Sequence, residues 1–141
     1  MKTGKLAVRK NQCTLCGRCA LACSRRLAGF HDPARAAIRI NDNLPVSFDV
    51  KVRFCIQCSQ EYCVEACPLK ALSRGEDEVV SLDKEKCREC PVQFACVSAC
   101  KAGLMFQHPE VPYPLKCDLC GGDPICVKEC LSEILTFKQE A

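Results

Sequence analysis

The sequence predicts an α+β fold made of two small pseudo-symmetric modules, nested one within the other along the chain, with a β-hairpin insert. Three observations support this prediction. Sixteen cysteines fall into four runs, each of which opens Cys-x2-Cys and closes Cys-x3-Cys. The runs begin at intervals of 42, 32 and 30 residues, which indicates internal repetition. Between the runs lie short segments with alternating apolar side chains, a pattern typical of strands.

The four runs differ only in the gap between their second and third cysteines. This gap is two residues in the first run, four in the second and five in the third and fourth. Every cysteine of the chain belongs to a run. The runs are Cys13, Cys16, Cys19, Cys23; Cys55, Cys58, Cys63, Cys67; Cys87, Cys90, Cys96, Cys100; and Cys117, Cys120, Cys126, Cys130.

This spacing predicts iron–sulfur clusters. Bacterial ferredoxins hold [4Fe–4S] clusters through cysteine thiolates spaced as in the first run. Three cysteines close together bind one cluster, and the fourth lies one helical turn, about 6 Å, further along and points away from it. In two-cluster proteins this fourth cysteine binds the other cluster. The runs must therefore work in pairs, and the sixteen cysteines predict four [4Fe–4S] clusters.

The same spacing disfavours other uses of clustered cysteines. A disulfide scaffold suits secreted chains, but residues 1–12 lack the apolar stretch of a secretory signal. Structural zinc sites usually separate their two ligand pairs by a dozen or more residues. Each run here closes within eleven to fourteen residues, which favours a cluster over zinc.

The distances between runs favour a nested pairing. Nineteen residues separate Cys67 from Cys87, whereas thirty-one separate Cys23 from Cys55. We therefore expect the second and third runs to form an inner module and the first and fourth an outer one; sequential pairing is the alternative that the spacing leaves open. The predicted domains are 1–30 with 109–141 (outer module), 31–54 (β-hairpin insert) and 55–108 (inner module). The predicted ligand sets are Cys13, Cys16, Cys19 with Cys130; Cys117, Cys120, Cys126 with Cys23; Cys55, Cys58, Cys63 with Cys100; and Cys87, Cys90, Cys96 with Cys67.

The segments between the runs predict short strands and turns. Prolines 109, 112 and 114 exclude a helix from the linker that precedes the fourth run. The hairpin is expected either to shield a cluster from water or to dock a partner, and both alternatives are open. Its second strand places Val46, Phe48, Val50, Val52 and Phe54 on one face. In chain order, the patterns predict strands over 5–9, 38–40, 46–54, 79–82 and 131–137, turns over 41–43, 74–78 and 121–124, and an extended linker over 107–116.

The charge of the chain bears on its partners and location. The formal net charge of +3 counts the cysteines as neutral. Four oxidised clusters with their thiolates add about −8, which brings the loaded chain to about −5. This removes the case for a nucleic-acid partner. No apolar run reaches membrane-spanning length, so we expect a cytoplasmic protein without direct membrane insertion.

Nine basic residues lie near the runs. We expect them either to form a solvated face or to offset thiolate charge and tune reduction potentials; for any one of them the sequence favours the solvated face. They are Arg18, Arg25, Arg26, Arg53, Lys70, Arg88, Lys101, Lys116 and Lys128.

The phrases KCDLCGGDPICVKEC and SLDKEKCREC, the order of the runs and the 31-residue insert resemble the four-cluster ferredoxin-like subunits of multi-subunit oxidoreductases. That family includes the iron–sulfur subunits of formate dehydrogenases, dimethyl sulfoxide reductase, formate-linked and carbon monoxide-linked hydrogenases, and tungsten aldehyde oxidoreductases. The resemblance implies two bacterial ferredoxin-like dicluster modules with the nested pairing. In length the chain is most similar to the small subunit of a soluble tungsten aldehyde oxidoreductase.

The predicted function is electron transfer without catalysis by the chain itself. Each predicted cluster has four sulfur ligands, and no nucleotide-binding fingerprint is present. We expect single electrons to pass between a large catalytic subunit, with a tungsten- or molybdenum-pterin centre, and a further redox subunit or ferredoxin. Self-association into a longer electron-transfer chain is a further expected contact. The alternatives are a free polyferredoxin, a subunit of a hydrogenase, formate dehydrogenase or carbon monoxide dehydrogenase complex, and an iron–sulfur regulator.

Overall fold

A computed structural model describes residues 3–88, 90 and 94–140 of the chain. Within these residues it combines short helices with short strands, which confirms the predicted α+β class. The strands are β1 (Thr3–Val8), β2 (Arg39–Asn43), β3 (Ser47–Arg53), β4 (Leu72–Arg74), β5 (Val80–Leu82) and β6 (Leu135–Glu140). The helices are α1 (Arg18–Ala28), α2 (Tyr62–Ala66), α3 (Lys84–Cys87), α4 (Ala95–Ala99) and α5 (Ile125–Glu129), with 3-10 turns at Pro33–Arg35 and Leu119–Gly122.

The strands form three antiparallel pairs, and one pair joins the two ends of the chain. Strand β1 pairs with β6 from Thr3 opposite Glu140 to Val8 opposite Leu135. Strands β2 and β3 form the hairpin, and β4 pairs with β5. Helix α1 packs against α5, and α2 packs against α4. Elements of the first and fourth runs are therefore neighbours, as are elements of the second and third.

Helix α1 differs from the other helices that carry cysteines. Helices α2, α4 and α5 each end at the residue before the fourth cysteine of their run. In the first run Ser24 follows Cys23, and α1 continues to Ala28. The buried Ser24 hydroxyl donates to the carbonyl of Leu21 (2.9 Å) and accepts the Asp32 N–H (3.0 Å). Gly29 then ends the helix in the left-handed region, at φ +79°.

The hairpin is present, but the turn predicted over 41–43 is wrong. Asn41 to Asn43 lie in β2, with a register shift between them, and the chain reverses over residues 44–46. Proline has no N–H to donate to a strand pair, so Pro45 falls in the turn. Val46 is consequently 82% exposed, outside the apolar face that was predicted to include it. The Phe48 side chain lies outside the part of the structure that is described.

The buried side chains form three apolar clusters, and each contains cysteines. One joins Cys19 and Cys126 to residues of the hairpin and β6, a second surrounds Cys96, and a third surrounds Cys13. In the third cluster Val50 of β3 is buried with Cys13 and Ile134. The hairpin therefore shields Cys13 from water, which is one of the two roles the sequence left open.

The linker over 107–116 is non-helical, as predicted, and Leu115 anchors it. Leu115 is fully buried and exchanges two backbone hydrogen bonds with Phe106 (2.7 and 3.1 Å).

We expect Leu115→Ala to lower the free energy of unfolding by about 2–5 kcal/mol, because it leaves a cavity. Anaerobic guanidinium unfolding followed by circular dichroism measures this. Leu131→Ala, at a side chain 66% exposed, is the matched control; equal midpoints for the two variants would contradict the anchoring role.

Candidate metal centres

All sixteen predicted ligands lie within the described residues, and all are free thiols. The disulfide alternative is therefore not formed in this structure. Five of the sulfurs are buried, and two cysteines, Cys16 and Cys58, are exposed. Among the described residues, no group of three or more His, Cys, Asp or Glu side chains converges closely enough to hold a single metal ion.

Three of the Cys-x2-Cys loops share a backbone feature. In the first, second and fourth runs the residue before the second cysteine has a positive φ: Leu15 at +61°, Gln57 at +54° and Leu119 at +56°. The Leu15 and Gln57 N–H groups each donate to the first sulfur of their run over 3.4 Å. The Leu119 N–H likewise donates to the Cys117 sulfur, the first of the fourth run. The equivalent residue of the third run, Glu89, lies outside the described residues. Such donors orient sulfur ligands and tune metal sites.

The fourth cysteines accept backbone hydrogen bonds from residues that follow them. The Ala71 N–H donates to Cys67 and the Leu104 N–H to Cys100, both over 3.4 Å. Burial favours a raised pKa at Cys130, but N–H donors from residues 132, 134 and 135 outweigh it and lower the pKa. These hydrogen bonds favour the thiolate form of Cys130.

Sulfurs from the first and fourth runs lie close together. Burial, with a smaller contribution from the neighbouring Cys13, Cys16 and Cys130 sulfurs, raises the pKa of Cys19 to about 11. Burial raises the pKa of Cys126 to about 12, and its sulfur neighbours are Cys117, Cys120, Cys23 and Cys19. Cysteines of the first and fourth runs therefore lie near one another, and Cys19, Cys23, Cys126 and Cys130 share one apolar cluster.

Two ion pairs join the same elements. Arg18 at the start of α1 pairs with Glu129 of α5 over 2.8 Å. Arg26 holds both carboxylate oxygens of Asp118, over 2.9 and 3.1 Å. Because these residues flank the cysteines of the first and fourth runs, the pairs fix the two runs against each other. Among the nine basic residues near the runs, Arg18 and Arg26 thus link the first run to the fourth.

Cysteines of the second and third runs pack in or against one apolar cluster. Burial raises the pKa of Cys96 to about 12, and its neighbouring sulfurs are Cys87, Cys67 and Cys90. Burial also raises the pKa of Cys63, whose neighbouring sulfurs are Cys55 and Cys58. Cys100, the remaining member of that set, is not among these neighbours; Cys63 and Cys100 pack against the same apolar cluster.

These sites fit an iron–sulfur group better than a hard cation. Thiolates are soft ligands that select iron–sulfur clusters, zinc or copper(I), whereas magnesium and calcium prefer oxygen. The sulfurs sit among apolar side chains and accept backbone N–H bonds, which are the features that set cluster potentials. Since burial raises the pKa of Cys117 to about 12, metal binding must displace protons from such thiols.

The sequence did not predict that Lys116 is buried or that Gln57 accepts a hydrogen bond from it. Lys116 was expected on a solvated face, but it is 4% exposed. Its ammonium donates to the side-chain oxygen of Gln57 over 3.1 Å. The only sequence signal was its position directly before Cys117, which does not report burial.

The chain is similar to named proteins over most of its length. No protein-family model matches the chain. The chain is 35% identical over 130 residues to the polyferredoxin-like subunit of aliphatic sulfonate oxidoreductase from Pyrococcus furiosus, covering 89% of this chain and 70% of that protein. It is 30% identical over 140 residues to a polysulfide reductase subunit from Wolinella succinogenes, covering 91% of this chain and 72% of that subunit.

A solved structure shares the fold. One protein of the active site complex BamBC of benzoyl coenzyme A reductase, bound to benzoyl-CoA, matches with a TM-score of 0.58 at 23% identity, over 99% of this chain and 81% of that one. None of the helices in the described part of the chain has the length and apolarity to cross a bilayer.

Proposed function

Because the chain belongs to the family of ferredoxin-like iron–sulfur electron-transfer subunits of oxidoreductase complexes, we propose that it binds four [4Fe–4S] clusters and relays single electrons between a catalytic subunit and a second redox partner. When bound, such clusters supply one-electron carriers. The observation that carries the proposal is the packing of cysteines from distant runs into shared apolar clusters: Cys19 and Cys23 with Cys126 and Cys130, and Cys63 and Cys67 with Cys96 and Cys100. No single run could produce this arrangement.

We propose the nested ligand sets and the two modules on the same ground. The sulfur neighbours of Cys126 include Cys23, from more than 100 residues earlier in the chain. The pairing of β1 with β6 and the packing of α1 on α5 support an outer module of residues 1–30 with 109–141. The β4–β5 pair and the packing of α2 on α4 support an inner module over 55–108.

Cysteines of the second and fourth runs lie near each other at the proposed boundary between the modules. Cys55 of the second run is an electrostatic neighbour of Cys117 of the fourth run. The Gln57 side-chain amide also donates to the carbonyl of Cys117 over 2.7 Å. We therefore propose that electrons cross between the modules at Cys55 and Cys117, with the sets of Cys13 and Cys87 towards the two ends.

For the catalytic partner we propose a tungsten- or molybdenum-pterin oxidoreductase, and specifically a tungsten aldehyde oxidoreductase. The motifs quoted from the third and fourth runs support the family of such partners. The relatives in P. furiosus and W. succinogenes are named for a sulfonate oxidoreductase and a polysulfide reductase. The family thus serves several substrates, and the substrate of this complex must be identified from its large subunit. We place the complex in the cytoplasm.

Anaerobic purification of the native protein tests the proposal. We expect it to elute with a larger subunit, identifiable by mass spectrometry, and to contain about sixteen irons per chain with spectra of reduced [4Fe–4S] clusters. Four tightly bound zinc ions and no iron would refute it. Elution as an iron-loaded monomer would instead favour a free polyferredoxin.

A further inference from the structure

A buried cation lies where the second and fourth runs meet. The Lys116 ammonium donates to the carbonyls of Val80 (2.6 Å) and Cys117 (2.9 Å) and to the side-chain oxygen of Gln57 (3.1 Å). These three acceptors satisfy all three donors of the ammonium. Among the described residues, no carboxylate lies within ion-pair distance of it. Its positive charge is therefore held in place without being neutralised by a neighbour.

Gln57 connects this cation to both cysteine runs. Its backbone N–H donates to the Cys55 sulfur over 3.4 Å. Its side-chain nitrogen donates to the Cys117 carbonyl over 2.7 Å, and its side-chain oxygen accepts the Val80 N–H over 3.0 Å as well as the Lys116 ammonium. Both polar atoms of the Gln57 amide are thus used in a single orientation. The amide fixes the position of Lys116 relative to the two runs.

The Lys116 ammonium lies beside one predicted ligand set of each module. It donates to the carbonyl of Cys117 in the fourth run, and its acceptor Gln57 donates a backbone N–H to the Cys55 sulfur in the second run. Cys55 belongs to a predicted set of the inner module, and Cys117 belongs to one of the outer module. Because a buried charge is weakly screened, the ammonium attracts any negative charge added at these two sets.

We propose that Lys116, oriented by Gln57, is a positioning residue that favours reduction at the two ligand sets on either side of the module boundary. The inference rests on the proposed function, since it concerns the electron that passes between the modules. In that step the donor set loses one electron and the acceptor set gains it, no bond forms or breaks, and no proton moves. Lys116 lowers the free energy of reduction at both sets. The two sets at the boundary therefore accept an electron more readily than they would without its charge.

Charge-changing variants test the proposal in the loaded protein. Lys116→Gln removes the charge and keeps N–H donors, whereas Lys116→Arg keeps the charge. In redox titrations followed by electron paramagnetic resonance, we expect Lys116→Gln to lower two of the four midpoint potentials. The expected change in the reduced-to-oxidised ratio is at least tenfold, which corresponds to about 59 mV for a one-electron couple. Lys116→Arg should leave all four close to the wild type.

Lys101→Gln is the matched control. Lys101 also directly adjoins a predicted ligand, Cys100, but it is exposed, and its ammonium lies over the Tyr62 ring at 4.4 Å. Because solvent screens exposed charges, we expect less than a threefold change in any reduced-to-oxidised ratio. Equal shifts in Lys101→Gln and Lys116→Gln would overturn the proposal, because burial would then have no effect.

Gln57→Glu is a second test that does not remove Lys116. The carboxylate keeps an acceptor for the ammonium and offsets its charge, and it loses the N–H donor to the Cys117 carbonyl. The same two potentials should therefore fall. Unchanged potentials in both Lys116→Gln and Gln57→Glu refute the role of Lys116. Equal shifts in Lys116→Gln and Lys116→Arg refute it too, because they indicate a packing effect. If Lys116→Gln does not assemble, Gln57→Glu decides alone. Wild-type protein with fewer than four reducible clusters refutes the proposed function itself.

Discussion

Combining Cys23→Ala with Cys117→Ala is expected to remove one cluster, whereas combining Cys23→Ala with Cys55→Ala is expected to remove two. In the nested arrangement Cys23 and Cys117 bind the same cluster, and their sulfurs are electrostatic neighbours. Cys55 belongs to another set. We expect about twelve irons per chain in the first variant and about eight in the second, measured by iron analysis and by the number of paramagnetic species after reduction.

The two variants control for each other, because each removes two cysteines and shares Cys23→Ala. Sequential pairing predicts the reverse result, since Cys23 would then join the set of Cys55. A pairing of each run with itself predicts the loss of two clusters from both variants. The same design applies to the set of Cys13. Nested pairing predicts a smaller loss of iron when Cys13→Ala is combined with Cys130→Ala than when it is combined with Cys67→Ala.

Removal of iron is expected to unfold most of the chain. Four of the five described α-helices have five residues or fewer, well below the length at which isolated helices are stable in water. The sheets are two-stranded, and such pairs are marginal alone. The apolar clusters contain cysteines, so without metal they lose the bonds that hold them together. In such domains the free energy of metal binding becomes free energy of folding.

Anaerobic chelation followed by far-ultraviolet circular dichroism and proton NMR measures this effect. We expect loss of most ellipticity and of dispersed amide signals, and recovery when iron and sulfide are added back. A sample incubated without chelator controls for slow oxidation. A native-like spectrum from iron-free protein would show that the packed side chains suffice.

The sequence predicts the parts of this molecule that depend on local spacing. The cysteine runs and most strands follow from residues close in the chain. The structure has all the predicted strands with bounds shifted by a few residues, and it adds β4 (Leu72–Arg74), which the sequence did not predict. The hairpin turn is misplaced because Asn41, Asp42 and Asn43 are typical turn residues, whereas strand register places Pro45 in the turn. Here pairing along β2 and β3 outweighs local turn preference.

The features that depend on distant contacts are not predictable in this way. Lys116 has the composition of a surface residue, and its burial follows from Gln57 and Val80, which lie 59 and 36 residues earlier in the chain. The length of α1 is only partly predictable from the sequence. The absence of proline after Cys23 permits the helix to continue, but the buried hydroxyl contact from Ser24 to Asp32 depends on how the chain returns.

The pairing of β1 with β6 has a consequence for synthesis on the ribosome. Strand β1 has no pairing partner until residues 135–140 are made. Residues 55–108 can be complete before that point. With the proposed pairing, the thiols of the first run therefore remain without those of the fourth run while the residues between them are synthesised. The cell has to protect these early thiols from oxygen and from competing metals during that interval.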